Sequence, residues 1–458
     1  MEQVDVAIVG GGPAGTAAAR AAADHGAHVV LVEKGVPRAD RSTLGPDSTD
    51  AAGFLDFWGE IADVDPRTWP DEIIHQRLTG AEFVGPNESV TITETGIDAS
   101  YPHFGFTFDR AKFDDWHREQ AEAAGAEYRV GTGVRNVEPT TTDGTTHHLQ
   151  LADGSEIRAG TLILADGPQR QITLRVLDAF LPDDRSATNV LSPPTANHIA
   201  YQEYRRFPAD EFDPEYIKFW WGWIPGHTAY PWIFPNSDSV ARVGLTMPIG
   251  LSLEDVPNPG AYELIEPDDE RMPSPRTFLE RFVERLYGDE YEVAADFPRL
   301  ENYGKDAGTE TYPISSTRPI DSPTAHGIAV VGGAMGATSA FHEGGDHVAL
   351  RTGNLAGKLA ATDRLSEYND AWKAAIGPEV RRNVTLADMV RDYGPSDWDR
   401  VFRIGRRMLP NQAGAVPGLR SALAAGVPAA KLYLAYRYEK YKRRSNRFVS
   451  LPESAYLG

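Results

Sequence analysis

Three glycines near the start of the chain constrain its fold more than any other feature. Gly10, Gly12 and Gly15 fit the pattern GxGxxG. The pattern lies between an apolar run, Val4–Val9, and a run of small residues, Ala14–Gly26, so a strand, a tight turn and a helix are predicted in that order. The first glycine permits the turn, the second lets backbone approach a pyrophosphate, and the third lets helix pack on strand. The sequence therefore predicts a βαβ unit that binds a dinucleotide at a helix N-terminus.

A carboxylate ends the next predicted strand. Glu33 closes the apolar run Ala27–Glu33, at the spacing expected for a residue that accepts hydrogen bonds from a ribose and repels a 2′-phosphate. These motifs do not by themselves separate FAD from NAD. The nucleotide site that they predict consists of Gly10, Gly12, Ala14, Gly15, Glu33 and Lys34.

The charge balance and the absence of cysteine narrow the classes of partner and chemistry. The 458 residues include 66 Asp and Glu against 45 Lys and Arg, a net charge of −21, and no Cys. Nucleic acid is not expected as a partner, because neutralising phosphates needs clustered cations. Disulfides, thiolate chemistry and clusters ligated by Cys of this chain are excluded. Dispersed acidic residues favour a salt-adapted, haloarchaeal surface; an ordinary acidic protein is the alternative.

Hydropathy predicts a cytoplasmic protein with one candidate membrane contact. The first strand pattern begins at Val4, which leaves no room for a signal peptide. No apolar run reaches the roughly 20 residues that a membrane-spanning helix needs. The segment Ala422–Arg447 combines small apolar residues and tyrosines with a Lys- and Arg-rich end. Such a helix favours peripheral contact with the inner face of the membrane; packing on the core with a solvated end is the alternative.

Later segments carry a resemblance to a known family. Phe108–Asp114, followed by Ala124–Glu127, resembles the "DR..FD" helix and "GAE" strand of geranylgeranyl reductases, flavoenzymes that saturate isoprenoid double bonds. Leu164–Gly167 is similar to the "ADG" segment of the wider hydroxylase-type flavoproteins. Gly332–Gly345 occupies the place of their "GDAA…GGGI" segment. The resemblance implies FAD as the cofactor.

The same resemblance implies further contacts with FAD. Arg110 and Val134 are expected to line the site, and Asp166 to brace the flavin loop. The alternatives are a helix-surface cation for Arg110 and a plain turn residue for Asp166. Gly344 and Gly345 precede a predicted helix, so their N–H groups are expected at the pyrimidine edge of the flavin. Positive potential at that helix end would stabilise the anionic reduced flavin.

The chain departs from the family pattern at three places. Gly333 stands where the family has an Asp that binds the ribityl chain, which removes a hydrogen bond worth roughly 1.5–3 kcal/mol. Two outcomes stay open: FAD is held more weakly, or another group such as Asp346 compensates. The "ADG" segment continues as Pro168–Arg170 without the usual serine, and Leu44–Thr49 lacks the cysteine that family members often carry there.

The string YPWIFP matches the "YxWxFP" signature of geranylgeranyl reductases. Strand side chains alternate faces, so Tyr230, Trp232 and Phe234 are expected to share one face and to form a wall for an isoprenoid chain. Trp221 and Trp223 are expected to extend that wall. The alternative is that all five rings are ordinary core.

Two residues in the glycine-rich segment before the predicted helix are candidate proton sources. His342 and Glu343 should lie beside the flavin if the resemblance holds. With Asp346 and His347 they form an acid–histidine cluster, but the spacing fits no recognised ligand pattern, so no metal is predicted.

Together these features predict an α/β protein. A Rossmann-like FAD-binding domain is interrupted by an antiparallel-sheet substrate domain and followed by a helical C-terminal region. The predicted boundaries are 1–185 and 308–360 for the FAD-binding domain, 186–307 for the substrate sheet and 361–458 for the helical region.

The resemblance implies an FAD-dependent reductase of geranylgeranyl chains in archaeal membrane lipids or related prenyl compounds. The electron donor stays open between ferredoxin and NADPH, because no second dinucleotide motif is evident. The alternatives are an aromatic hydroxylase on the same scaffold, a flavin halogenase, and a non-catalytic isoprenoid-binding protein.

Overall fold

The computed structural model describes residues 2–37, 40–41, 53–55, 59, 61–62, 64–94, 99–140, 146–192, 197–304, 307–315, 318–408, 422 and 426–457. The strands are Glu2–Val9 (β1), Val29–Val32 (β2), Gly53–Leu55 (β3), Ile74–Leu78 (β4), Gly80–Val84 (β5), Ser89–Ile92 (β6), Gly105–Phe108 (β7), Glu127–Arg129 (β8), Val134–Thr140 (β9), Thr146–Leu151 (β10), Glu156–Leu164 (β11), Asn197–Arg206 (β12), Tyr216–Trp220 (β13), Tyr230–Pro235 (β14), Val240–Pro248 (β15), Thr309–Ser315 (β16) and Ile328–Val330 (β17). The α-helices are Pro13–Asp24 (α1), Arg110–Ala123 (α2), Gln171–Asp178 (α3), Ala187–Leu191 (α4), Pro275–Tyr287 (α5), Val293–Asp296 (α6), Asp346–Ala361 (α7), Tyr368–Val390 (α8), Pro395–Met408 (α9) and Val427–Lys442 (α10). The segment Leu44–Thr49, singled out in the sequence, lies outside the described residues.

The first sheet is the nucleotide-binding core. Its order is β8–β2–β1–β11–β10–β9, and β17 pairs with β11. The pairs that join β8, β2, β1, β11 and β17 are parallel, whereas β9 and β10 form an antiparallel extension. The strands β2 and β17 are buried along their whole length, as the continuous apolar runs predicted. The predicted fold class is confirmed.

The second sheet is larger than the segment that was predicted to form it. In the described residues its order is β16–β12–β15–β14–β13–β5–β6. The strands β12 to β15, within 197–248, are paired antiparallel, as their alternating aromatic pattern predicted. The strand β5 joins parallel to β13, and β16 pairs with β12, so residues 80–92 and 309–315 also contribute. Such long-range pairing leaves no local sequence signal.

The segment 186–307, predicted as the substrate sheet, also contains helices near its end. Residues 275–287 and 293–296 are helical. Ser274 caps the longer helix by accepting from the Thr277 N–H, and Pro275 occupies its first turn. Its buried residues recur with helical spacing and pack under the second sheet: Phe278, Leu279, Phe282 and Val283.

The helices α1 and α7 touch backbone to backbone. A Cβ at Gly353 would lie 2.0 Å from the carbonyl oxygen of Ala14, and a Cβ at Gly357 would lie 2.1 Å from that of Ala18. Only glycine permits such an approach. Because residue 353 pairs with 14 and 357 with 18, the helices run parallel. The first seven residues of α7 therefore project about 10 Å beyond the start of α1.

The last part of the chain is helical, as predicted. The helix α9 packs Trp398 and Phe402 against the second sheet, and its Asp399 accepts hydrogen bonds from Asn87 and Glu88 in the turn after β5. Within the described ranges, no helix combines the length and apolar character needed to cross a membrane.

The α1–α7 contact gives a first testable prediction. The methyl group of Gly357→Ala would clash with the carbonyl oxygen of Ala18. We therefore expect the free energy of unfolding to fall by about 3 kcal/mol. The matched control is Gly405→Ala in α9, where the nearest atom to an added Cβ is 4.0 Å away. There, helix propensity predicts a gain of about 1 kcal/mol. Urea titration measures both, and equal stabilities of the two variants would contradict the packing.

Candidate cofactor and substrate site

A cavity of about 290 Å³ opens at the glycine turn. Six predicted cofactor residues line it: Gly10, Gly12, Glu33, Lys34, Val134 and Asp166. Asp114 and Arg118 of α2 and residues Thr311–Pro313 of β16 also contribute to its wall, although none of them was predicted as a cofactor residue. The other predicted cofactor residues are not among the lining residues: Ala14, Gly15, Arg110, Gly333, Gly344, Gly345 and Asp346.

The three glycines of the motif have three different surroundings. Gly10 has φ +102°, and a Cβ there would lie 2.4 Å from the carbonyl oxygen of Ala165. A Cβ at Gly15 would lie 1.9 Å from the Gly10 carbonyl oxygen. At Gly12 an added Cβ meets no atom within 4 Å. The open space at Gly12, at the N-terminus of α1, is where a pyrophosphate fits.

The carboxylate of Glu33 is held in place by backbone. Its Oε2 accepts a hydrogen bond from the Gly11 N–H at 2.6 Å, and its Oε1 accepts one from the Gly35 N–H at 2.7 Å. Each oxygen keeps a second lone pair for a ribose hydroxyl. The open turn, the helix end and the fixed carboxylate together fit the adenosine and pyrophosphate parts of FAD.

Asp166 lines the cavity and binds the first turn of α3. It accepts hydrogen bonds from the N–H groups of Ile172 (2.7 Å) and Thr173 (3.2 Å), and from the Thr173 hydroxyl. These contacts are those of a plain turn residue, which was the alternative for Asp166. Its position in the cavity wall agrees with the cofactor role.

Arg170, which was not predicted as a site residue, lies between the lining residues Gln169 and Gln171. Its side chain is buried and donates to the carbonyl oxygens of Leu191 (2.5 Å), Gly333 (2.8 Å) and Ala334 (3.0 Å). The only sequence signal was its position after the "ADG" segment, where the family usually has a serine.

Arg110 and Asp346 bind each other at the base of the site. Arg110, only 3% exposed, lies 2.7 Å from Asp114 and 3.0 Å from Asp346. Burial raises the pKa of Asp114 to about 7, against the opposing charge of Arg110. The ion pair ties α2 to the first turn of α7. The structure therefore gives Asp346 a structural partner, and its compensation for the acid missing at Gly333 stays a prediction.

Glu343 joins the loop before α7 to the second sheet. It has φ +58°, and its buried carboxylate accepts from Thr228 Oγ1 at 3.2 Å and from Thr246 Oγ1. The Nδ1 of His198 lies 2.6 Å from Glu343 Oε1. No local motif predicted His198 as a site residue. It lies in β12 and contacts the loop only in the folded chain.

His342 has a different environment. Its ring stacks 6.3 Å from that of His347, which lies 2.5 Å from Glu379 of α8. Burial and the nearby His347 lower the pKa of His342 to about 3. Burial alone would raise the pKa of Glu379, but the hydrogen bond and charge of His347 lower it to about 2. His342 is therefore neutral at neutral pH and is a poor proton source.

The rings of Tyr230, Trp232 and Phe234 lie on one face of β14, as predicted, and their role as a substrate wall stays a prediction. Trp232 lies between Tyr230 and Phe234, with ring centroids 6.1 and 5.9 Å away. Trp221 stacks on Tyr230 at 4.3 Å and on Phe341 at 5.4 Å. Because Phe341 belongs to the loop before α7, these rings and that loop pack in one cluster, in which Trp221 and Tyr230 are buried.

Trp223 does not belong to this wall. It packs against Phe282 of α5 in a separate core cluster, so the expectation that it extends the wall is corrected. Trp223 follows Gly222, which has φ +78° and turns the chain away from the Trp221 side. A further glycine shapes the wall: a Cβ at Gly244 would lie 2.4 Å from the Trp232 indole, which therefore rests directly on backbone.

Comparison with known proteins is consistent with this geometry. Residues 5–81 match the family model described as FAD dependent oxidoreductase. A digeranylgeranylglycerophospholipid reductase of Methanothermobacter thermautotrophicus is 26% identical over 88% of this chain and 90% of its own length. One of Methanothrix thermoacetophila is 27% identical over 87% of this chain and 90% of its own.

Solved structures share the whole architecture. A geranylgeranyl bacteriochlorophyll reductase-like protein of Thermoplasma acidophilum superposes with a TM-score of 0.71 at 20% identity, over 96% of this chain and 99% of that chain. The myxobacterial chondrochloren halogenase gives 0.57 at 18% identity, over 98% and 100%. The comparisons confirm the predicted resemblance, an oxidoreductase assignment and FAD as the cofactor.

The glycine turn gives a second prediction. Gly12→Ala is compatible with the observed φ of −73° and meets no neighbour, so the FAD-free protein should melt at the wild-type temperature. The methyl group occupies the pyrophosphate space, so FAD affinity should fall about tenfold or more. Calorimetry and FAD titration measure the two quantities.

The matched control is Gly160→Ala in β11, whose added Cβ makes an ordinary 3.5 Å contact away from the cavity. It should bind FAD as the wild type does. Unchanged FAD affinity in Gly12→Ala would contradict the assignment of this turn.

Proposed function

We propose that the chain is an FAD-dependent reductase that saturates carbon–carbon double bonds of geranylgeranyl chains in archaeal membrane lipids. The carrying observation is the apolar face of Tyr230, Trp232 and Phe234, which meets the loop before α7 through Trp221 and Phe341. Flat rings on a rigid strand suit a hydrocarbon chain that offers no hydrogen-bonding group. The relatives named above as digeranylgeranylglycerophospholipid reductases support the substrate class.

An unactivated alkene has no carbonyl group to polarise, so positioning and proton supply must carry much of the catalysis. FAD, when bound and reduced, would supply a hydride to one alkene carbon. The protein's own residues orient the chain and exclude water from the wall. Burial and the nearby charge of Glu343 raise the pKa of Tyr230 well above its usual value, and its hydroxyl donates to the His342 carbonyl oxygen. Tyr230 is therefore a structural donor in this arrangement.

Glu343 is the better of the two predicted proton sources. His342 stays neutral because burial lowers its pKa to about 3. The carboxyl group of Glu343 lies in the same loop, with His198 2.6 Å from Oε1 as the nearest base. In the proposal, the proton shared between His198 and Glu343 is the one that the second alkene carbon receives.

Anaerobic turnover tests this function. Chemically reduced protein is incubated with geranylgeranyl glycerolipid, and the product is analysed by mass spectrometry. We expect hydrogen to be gained in pairs, without oxygen or halogen. Oxygen-dependent hydroxylation of a phenol would favour the hydroxylase alternative, and halide incorporation would favour the halogenase. No mass gain with FAD bound would contradict the proposal.

A variant of the wall sharpens that experiment. Gly244→Ala displaces the Trp232 indole, so lipid saturation should slow about tenfold or more while FAD affinity is unchanged. Gly260→Ala, where an added Cβ meets nothing within 4 Å, is the control. Equal rates in both variants would remove Trp232 from the substrate site.

We also propose that α10 docks the protein on an anionic membrane surface, which would bring the site to a lipid substrate. Its exposed apolar residues recur on one side with helical spacing: Val427, Leu434, Tyr438 and Tyr441. The charges of Lys442 and Arg444 lie 4.8 Å and 3.8 Å from the Tyr438 and Tyr441 rings. Exposed rings flanked by cations are typical of interfacial helices, and this basic surface contrasts with the net charge of −21.

Vesicle sedimentation tests the docking. The wild type should bind vesicles containing phosphatidylglycerol and release them as salt rises. Replacing Leu434, Tyr438 and Tyr441 together with Ser should abolish binding, whereas Ile249→Ser, at an exposed apolar residue elsewhere, should not. Equal binding of wild type and triple variant would contradict the role of α10.

A further inference from the structure

Arg170 is a buried cation that joins three segments of backbone. Besides its bonds to Leu191, Gly333 and Ala334, its Nη1 donates to the Pro168 carbonyl oxygen at 3.4 Å. The residue has φ +51° and is fully buried at the N-cap of α3. A left-handed non-glycine residue is held only where the surroundings determine it strongly.

Arg170 and Gly333 are parts of one arrangement. A Cβ at Gly333 would lie 3.3 Å from both the nitrogen and the Cδ of Pro168, tighter than ordinary packing. A longer acidic side chain at 333 would press the two turns apart. The glycine instead lets the 332–335 turn rest on the 166–169 turn, where the guanidinium can reach both.

The turn that Arg170 holds is part of the cavity wall. Asp166, Gly167, Pro168 and Gln169 all line the cavity. Burial lowers the pKa of Arg170 to about 10, with the Asp166 charge opposing, so the side chain stays cationic at neutral pH. The protein interior has a low effective dielectric constant, so the positive charge of Arg170 is weakly screened there. It therefore favours an anionic ligand in the cavity.

We infer that Arg170 is a positioning residue for FAD, which fixes the turns 166–169 and 332–335 against each other in place of the acid that Gly333 lacks. The inference rests on FAD being the cofactor, not on the isoprenoid substrate. Arg170 acts through the backbone of Gly333 and Pro168. Its charge also favours the anionic reduced form of the cofactor over the oxidised form.

Two methionine variants separate this role from plain stability. Arg170→Met keeps the length of the side chain and removes the donors and the charge. Arg205→Met is the matched control. Arg205 is also buried, and it donates to the Glu203 carboxylate and the Phe297 carbonyl oxygen. It lies in β12, which contributes no residue to the cavity wall. The melting temperature of FAD-free protein, the Kd for FAD and the flavin midpoint potential are measured for each.

We expect Arg170→Met to bind FAD about tenfold more weakly, in line with the loss of charged hydrogen bonds. If reduced FAD loses a further tenfold relative to oxidised FAD, the potential falls by about 30 mV. Arg205→Met should lower the melting temperature and leave both flavin quantities unchanged. A lowered melting temperature of Arg170→Met with unchanged Kd and potential would overturn the inference.

Arg170→Lys serves if the methionine variant does not fold. It keeps the charge and loses the fork that reaches separate carbonyl groups. A weaker Kd with a nearly unchanged potential supports the positioning role, and an unchanged Kd overturns it. Failure of the wild type itself to bind FAD would overturn the cofactor assignment, which is a different result from normal FAD binding by Arg170→Met.

Discussion

The close contact between α1 and α7 is the constraint on which the rest of the structure depends. Gly353 and Gly357 rest on the carbonyl groups of Ala14 and Ala18, and Gly15 rests on that of Gly10. These contacts hold α1, α7 and the end of β1 so close together that only glycine fits at the contact positions. The N-terminus of α1 is thereby fixed at the cavity, and the start of α7 extends past it to reach Arg110 and the second sheet.

That extension explains how the two halves of the site meet. The loop before α7 carries Phe341, which stacks on Trp221 of the aromatic wall. The same loop carries Glu343, which binds His198, Thr228 and Thr246. The two sheets are therefore joined at this loop by buried contacts of opposite character, one apolar and one polar. Breaking either would let the loop move relative to the sheet.

Local features of the chain were predictable because each is a short-range pattern. The glycine turn, Glu33 and the helix that follows Gly345 were predicted from local patterns. The shared face of Tyr230, Trp232 and Phe234 follows from strand alternation. The pairing of β5 with β13, the burial of Arg170 and the approach of His198 to Glu343 depend on segments distant in the chain, so no local pattern reveals them. The salt-adapted surface, the cytoplasmic location and the electron donor stay predictions.

The central claim is that electrons held on FAD in this cavity pass to an isoprenoid double bond. Rapid anaerobic mixing of the photoreduced protein with a geranylgeranyl lipid, followed by the absorption band of oxidised flavin, tests it most directly. We predict that the band returns with the unsaturated lipid, with one flavin oxidised for each bond saturated, and does not return with the fully saturated lipid. A flavin that stays reduced with both lipids and is reoxidised only by oxygen would contradict the claim.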